Sequence, residues 1–213
     1  MFTLRTLLEG KWPLVILVAV SAATVMGCPV RWAPILPFAL LAFTISFFRD
    51  PERGVPPDPK AIVAPADGKV VEVKTANEPH FLQGEARMIA IFLSVFDVHV
   101  QRAPIPGEIK HVQYTEGKFL DARDPQCAVV NENRVIGIES VDGFRVTVRQ
   151  VAGLIARRIV GWAGQGTKLA KGERIGMIRF GSRVELFLPM DCEILVKVGD
   201  TVTGGDHVVA RRR

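Results

Sequence analysis

The sequence predicts a mainly β (α+β) protein. Its larger part is a compact antiparallel sandwich or barrel-like domain with lipoyl-like strand–turn–strand units, and an N-terminal hydrophobic helical hairpin precedes it. Three observations carry this. Apolar and polar residues alternate over much of 61–213, the period of half-buried strands. Turn-forming Asp-Gly and Gly-Asp pairs fall between the alternating runs, in ADGKV (66–70), VDGF (141–144) and VGDTVTGGDHV (198–208). Two charge-free apolar runs fill most of the first fifty residues.

Those runs are WPLVILVAVSAATVMG (12–27) and APILPFALLAFTISFF (33–48), split by CPVRW (28–32) with Pro29 and Arg31 as breakers. Each falls slightly short of the roughly 20 residues that span a bilayer core. Joined by a tight turn they form a membrane hairpin over 1–49 with both ends on one side. Arg5, Lys11, Arg49 and Arg53 flank those ends against Arg31 at the turn, so the positive-inside rule puts the rest of the chain in the cytoplasm, on a cell (inner) membrane. Pro13, Pro34 and Pro37 keep the runs short, which leaves a wedge in one leaflet and a buried soluble hairpin as alternatives. Residues 50–60, with prolines 51, 56, 57 and 59, read as a stiff extended connector to a domain over 61–213.

Within that domain AIVAPADGKVVEVK (61–74) reads as strand, turn, strand. Residues 86–113 give a long apolar strand, a polar crossing at Asp97 to Arg102 and a further strand after Pro106-Gly107. Asp142-Gly143, between two alternating runs, marks a hairpin over 132–153. LIARRIVGW (154–162) is compatible with a short helix. The stretch GERIGMIRFGSRVELFLP (172–189) alternates on both sides of Gly181-Ser182, which interrupts it as a turn or bulge would. A serine directly after a glycine can place its hydroxyl against the glycine carbonyl, and strain there assists attack of the chain on itself.

The net charge of +5 suits anionic partners, nucleic acid or an anionic lipid surface. No basic stripe is interleaved with aromatics and there is one tyrosine, which argues against nucleic acid. Cys28, Cys127 and Cys192 are odd in number and widely spaced, as free thiols of a reducing compartment would be, and no CxxC or His/Cys cluster suggests a metal site.

Five segments together resemble the phosphatidylserine decarboxylase family in its short bacterial and archaeal form: FFRDPER (47–53), PADGKV (65–70), LSVFDVHVQRAP (93–104), QVAGLIARRIV (150–160) and RFGSRVELFLP (179–189). The resemblance implies a proenzyme that cleaves itself between Gly181 and Ser182 into a β chain, 1–181, and an α chain, 182–213. Ser182 is converted to a pyruvoyl group, a covalent cofactor that takes the substrate amine as a Schiff base. The implied reaction turns phosphatidylserine in the bilayer into phosphatidylethanolamine and CO2, a step of phospholipid biosynthesis. Asp67 and His99 are the implied partners of Ser182, in the logic of a Ser-His-Asp triad. Longer relatives carry a further histidine three residues on, where this chain has Arg102, so either His99 serves both cleavage and decarboxylation or another group is the cleavage base. Asp97 is a supporting candidate, to hold His99 or a strand end. Arg102, Arg157 and Arg158 are the candidates for binding the lipid phosphate.

Three other functions compete. A lipoyl-like carrier on a membrane hairpin would need an attachment lysine, and Lys69 lacks the Met-Lys-Met setting. A serine hydrolase would need a G-x-S-x-G elbow, absent around Ser182. A nucleic-acid binder lacks the stripe described above. A homo-oligomer is left open by the sequence.

Overall fold

The computed structural model describes residues 3–27, 29–30, 32–121, 126–154, 158–179 and 182–213. The chain divides into two compact units, Met1–Glu52 and Arg53–Arg213. In the first, α1 (Leu4–Gly27) packs against α2 (Ile35–Phe47). At 1.5 Å per residue α1 is about 36 Å long, enough to cross a hydrocarbon core of about 30 Å, whereas α2 at about 20 Å is not. The first helix therefore starts earlier than its apolar run and takes in Arg5, Glu9 and Lys11. The second is trimmed to 13 residues, with Pro34 at its N-cap.

Burial along the helices of this unit is largely inverted. Apart from Phe47 and Phe48 at the end of α2, the enclosed positions include Thr6, Gly10, Ser21 and Thr44, while Leu8, Trp12, Val15, Ile16, Ile35 and Leu36 are exposed. A Cβ on Gly10 would lie 2.8 Å from Cδ2 of Phe48, so the helix ends meet only because that residue is glycine. The hydroxyls of Ser21 and Thr44 donate to the carbonyls of Leu17 (2.7 Å) and Leu40 (2.8 Å), which satisfies them inside their own helices. Small residues at helix contacts and large apolar residues outside are what an apolar surrounding favours. By length and composition α1 is a candidate membrane span.

The second unit is built from antiparallel strands: β1 (Ala61–Val63), β2 (Gly68–Glu78), β3 (Gly84–Leu93), β4 (Val100–Arg102), β5 (Gly107–Thr115), β6 (Asn133–Glu139), β7 (Arg145–Ala152), β8 (Ile159–Gly161), β9 (Lys168–Leu169), β10 (Arg174–Ile178), β11 (Ser182–Leu188), β12 (Glu193–Ile194), β13 (Thr201–Val202) and β14 (Val208–Arg211). An eight-stranded sheet runs β13-β2-β3-β11-β7-β6-β5-β9, and two three-stranded sheets run β4-β10-β8 and β1-β14-β12. The mainly β, antiparallel architecture is the one the alternation predicts. Asp142-Gly143 does turn a hairpin, β6 into β7, with Gly143 at φ 80°.

Strand β11 lies between β3 and β7 and is buried along its whole length. Its Val184, Leu186 and Leu188 join Ile89, Ile91 and Leu93 of β3 and Val146, Val148 and Ala152 of β7 in the main core. Its other face carries Arg183, Glu185 and Phe187. There Glu185 accepts from Arg149 Nε (2.6 Å) and from Arg183 Nε (2.8 Å), and Arg183 also reaches Glu72. Burial alone would lower the Arg183 guanidinium, but Glu185 and Glu72 outweigh it and hold it above its ordinary value.

Three features differ from the local patterns. First, β10 and β11 belong to different sheets, so the chain passes from one sheet to the other between Ile178 and Ser182 instead of pairing the two runs. Second, β1 and β2 do not pair with each other; β1 pairs with β14 at the far end of the chain. Third, the described part of 154–162 is strand β8, pairing with β10, and not a helix. Its short run of β-branched residues satisfies its backbone in the small sheet. Residues 53–60 have no regular structure, yet they pack along the second unit: Arg53 reaches Asp67, and Gly172 lies against Val55.

Candidate active site

Ser182 is the first residue of β11. It pairs with Leu93 on one side and Ala152 on the other. It shares the core face with Val184 and Leu186, so the alternation puts its hydroxyl inward. The residue is fully buried, and its Oγ has no hydrogen-bond partner among the described residues. Leaving a buried hydroxyl unsatisfied costs roughly 1–3 kcal/mol, and folded proteins rarely tolerate it without a reason. Asn131 steadies the neighbouring strand end: its Nδ2 donates to the Ala152 carbonyl (2.7 Å) and to the Leu120 carbonyl (2.9 Å). Gly181, the other half of the expected cleavage site, lies outside the described residues.

His99 is fully buried just before β4. Its Nδ1 lies 2.9 Å from the main-chain carbonyl of Asp97. A carbonyl can only accept, so Nδ1 carries the proton and the lone pair of the neutral ring sits on Nε2. On that tautomer Nε2 is the basic nitrogen of the ring. The Asp97 carboxylate closes the preceding turn by accepting from Ser94 N and Ser94 Oγ, both at 2.7 Å. Ser94 follows Leu93, the partner of Ser182. The carbonyl of His99 accepts from Ile178 N (3.2 Å), the last residue of β10, and the chain reaches Ser182 four residues later. His99 and Ser182 therefore flank the same crossing.

Asp67 lies in the turn before β2, where both carboxylate oxygens are 2.8 Å from Nη2 of Arg53 and Oδ1 accepts from Gly204 N (2.8 Å), and it is close enough to Asp97 to feel its charge. Burial raises its pKa, and it outweighs the lowering by Gly204 and Arg53. Nδ1 of His99 is thus held by the Asp97 carbonyl where the triad pattern would put Asp67. The physical reason is that Arg53, brought back along the second unit, claims the Asp67 carboxylate with a full charge.

Arg102 belongs to the Asp67 corner. Its backbone N donates to Pro65 O (2.8 Å) and its Nη1 to Gly172 O (3.0 Å), and a Cβ on Gly205 would lie 2.7 Å from its Cδ. It is buried and engaged with main chain, unlike the open phosphate ligand expected at this position. Arg158 is exposed at the start of β8, and its carbonyl accepts from Arg179 N (3.2 Å). Arg157 lies outside the described residues. Cys127 and Cys192 are buried and form no disulfide among the described residues, and burial pushes the Cys192 thiol up to about 11, so it is protonated and unreactive at neutral pH. Cys28 lies outside the described residues.

Residues 40–210 match the family model described as phosphatidylserine decarboxylase. The chain belongs to that family. It is 47% identical over 204 residues to the phosphatidylserine decarboxylase proenzyme of Symbiobacterium thermophilum, a match that covers 95% of this chain and 94% of the relative. The corresponding proenzyme of Carboxydothermus hydrogenoformans is 46% identical over 205 residues, with the same coverage. That of Desulfotalea psychrophila is 48% identical over 170 residues, 80% of this chain and 79% of the relative. As a member of the phosphatidylserine decarboxylase family the chain is an enzyme, a decarboxylase.

Sequence patterns missed several residues around the site of this decarboxylase. Arg53 as the partner of Asp67 is fourteen residues away and inside what reads as a linker. Asn131 has no motif, but it is a buried polar residue two positions before the alternating strand β6. Arg134 and Gln150 occupy apolar-register positions of β6 and β7, a signal that alternation alone exposes once the faces are assigned.

Proposed function

We propose that the chain is a self-processing, membrane-tethered decarboxylase of phosphatidylserine, releasing phosphatidylethanolamine and CO2. The observation that carries this is the buried, uncommitted Ser182 Oγ at the sheet crossing, in a chain of this family. In the self-cleavage, Ser182 Oγ attacks the Gly181 carbonyl carbon, the Gly181–Ser182 C–N bond breaks and an ester replaces it. His99 Nε2 takes the hydroxyl proton, and the freed nitrogen of residue 182 gains one. Removal of the Ser182 α-proton then expels the Gly181 carboxylate, and water replaces the nitrogen, which leaves as ammonia. The products are chains 1–181 and 182–213, the second headed by a pyruvoyl group.

Residue 182 fits such a group. Among the described residues nothing holds its oxygen, and the side chains of Leu93 and Ala152 on either side are apolar. The pyruvoyl carbonyl would supply an acceptor for the electrons that an amino-acid carboxylate leaves behind as CO2. This chain's residues would do the rest. The His99 tautomer puts the lone pair of the neutral ring on Nε2. Asn131 fixes the Ala152 strand end, and the Asp97 turn fixes the His99 loop. Arg158, exposed at the start of β8, is the candidate for the lipid phosphate.

The tether follows from the first unit. Exposed Leu8, Trp12, Val15 and Ile16 on a helix of spanning length favour a bilayer, and Arg5, Lys11, Arg49 and Arg53 favour the cytoplasmic side for the second unit. Confining the enzyme to the surface where its substrate lies raises the effective concentration of both. Denaturing gels test the proposal: wild-type protein resolves into two chains, Ser182→Ala stays full length and releases no CO2. A Ser182→Ala protein that still decarboxylates would overturn it.

A further inference from the structure

Three buried polar side chains near the site are joined end to end. On β6, Arg134 shares a face with Ile136 and Ile138; on β7, Gln150 shares one with Val146, Val148 and Ala152. Gln101, on β4, is fully buried. Arg134 Nη1 donates to Gln150 Oε1 (3.2 Å), Gln150 Nε2 to Gln101 Oε1 (2.8 Å), and Gln101 Nε2 to the main-chain carbonyl of His99 (2.8 Å).

The two ends fix the direction of the whole chain. A guanidinium only donates and a carbonyl only accepts, so both amides have a single consistent orientation and every donor points toward His99. Hydrogen bonds aligned in this way polarise one another. The Arg134 charge at the head is enclosed and, among the described residues, meets no carboxylate. Its other acceptors are the carbonyls of Ile175 (3.4 Å) and Ala163. Two glycines make room for the chain. A Cβ on Gly161 would lie 2.5 Å from Arg134 Cζ, and one on Gly176 would lie 2.5 Å from the Val160 carbonyl and 3.2 Å from Gln150 Nε2.

The chain also bridges the sheets. Arg134 and Gln150 belong to the eight-stranded sheet, and Gln101 to the small sheet that His99 leads into. Gln150 pairs with Val184 as Ala152 pairs with Ser182, so the polar row lies two residues, about 7 Å, along the strands from the Ser182 row. Apolar contacts would join two sheets without desolvating a guanidinium, which is costly. A directional chain does what apolar packing cannot: it sets one backbone carbonyl at one place.

We propose that Gln101 and Gln150, headed by Arg134, are positioning residues that hold His99 in place against the Ser182 end of β11 for self-cleavage. This rests on His99 being the cleavage base. Gln101→Glu keeps the shape but removes the donor and sets a carboxylate against the His99 carbonyl. It should slow conversion of newly made full-length chain into the two fragments by roughly 10- to 100-fold, the scale of a small misplacement of a catalytic group. The folded protein should keep a cooperative melt, and the pH–rate profile of cleavage should change its midpoint. A loss of folded molecules alone would lower the amplitude and leave the midpoint where it was.

The decisive arm is the double variant. In a His99→Ala background, Gln101→Glu should have no further effect on the residual cleavage rate. Wild-type cleavage by Gln101→Glu, an unchanged midpoint, or an equal slowing with and without His99, would overturn the proposal. If Gln101→Glu does not fold, Gln101→Met, which lacks the donor without adding charge, is measured in the same way and against the same outcomes. His99→Ala alone separates the two levels: rapid cleavage there removes His99 as the base, whereas slow cleavage there with a normal Gln101→Glu removes only the positioning chain.

Discussion

Strand β11 carries two kinds of buried polar group, one on each face. On one face Glu185 is met by Arg149 and Arg183, and Arg183 by Glu72, so charge is cancelled by charge. On the other, one residue away, the Ser182 hydroxyl is just as deeply buried and meets no hydrogen-bond partner among the described residues. The environment is the same sheet, so depth is not what differs. The satisfied face is there for structure, because its removal would strand a charge. The unsatisfied oxygen contributes nothing to structure, which leaves it available for chemistry.

Substitutions on the two faces should therefore fail in opposite ways. The largest effect is Ser182→Ala: chain cleavage and decarboxylation are lost together, while thermal unfolding shows no loss against the unprocessed wild-type chain and a gain of up to about 1–3 kcal/mol, since a buried hydroxyl without a partner is removed. Glu185→Ala should do the reverse. Two cations lose their carboxylate and stability falls by about 3–5 kcal/mol in denaturant unfolding, but the molecules that fold still cleave. Cleavage that is lost at full stability would break the comparison.

Two carboxylates sharpen it further. Glu78 accepts from the N–H groups of His80 (2.9 Å), Phe81 (2.9 Å) and Leu82 (2.6 Å) and from the Thr147 hydroxyl (3.1 Å). Burial raises its pKa, but these bonds outweigh burial and hold it below 4.5. Its stabilisation is present above 4.5 and is lost as pH falls through the lowered folded value. Glu78→Gln should thus cost about 1–3 kcal/mol at neutral pH and less in acid, measured by unfolding at several pH values. Asp67 is shifted the other way, upward from 3.8 by burial. Its linkage favours the fold below 3.8 and is lost as pH rises through the raised value. Relative to Asp67→Asn, wild type should therefore lose stability as pH rises through that window, a smaller effect of opposite slope.

The β-rich fold was readable from alternation and turn chemistry because both act locally. Val184, Leu186 and Leu188 repeat every second residue, and Asp142-Gly143 fits a tight turn. Ser182 and His99 were readable as candidates from their motifs. What could not be read was sheet membership. Alternation on both sides of Gly181-Ser182 looks identical whether β10 and β11 pair or part, and only long-range pairing with β3, β4, β7 and β8 decides it. Arg53–Asp67 was hidden for the same reason: a proline-rich run says that a segment is extended, not that it folds back. Gln101, Gln150 and Arg134 sit on three different strands, and their partnership exists only after the sheets close.

Mass analysis of the purified wild-type protein reads the self-cleavage itself. Two chains are expected, one ending at Gly181 and one spanning 182–213 whose N-terminus is blocked and lighter by one ammonia than simple hydrolysis would leave it. Active protein consisting of a single unbroken chain, or a small chain that begins with an ordinary serine, would contradict it.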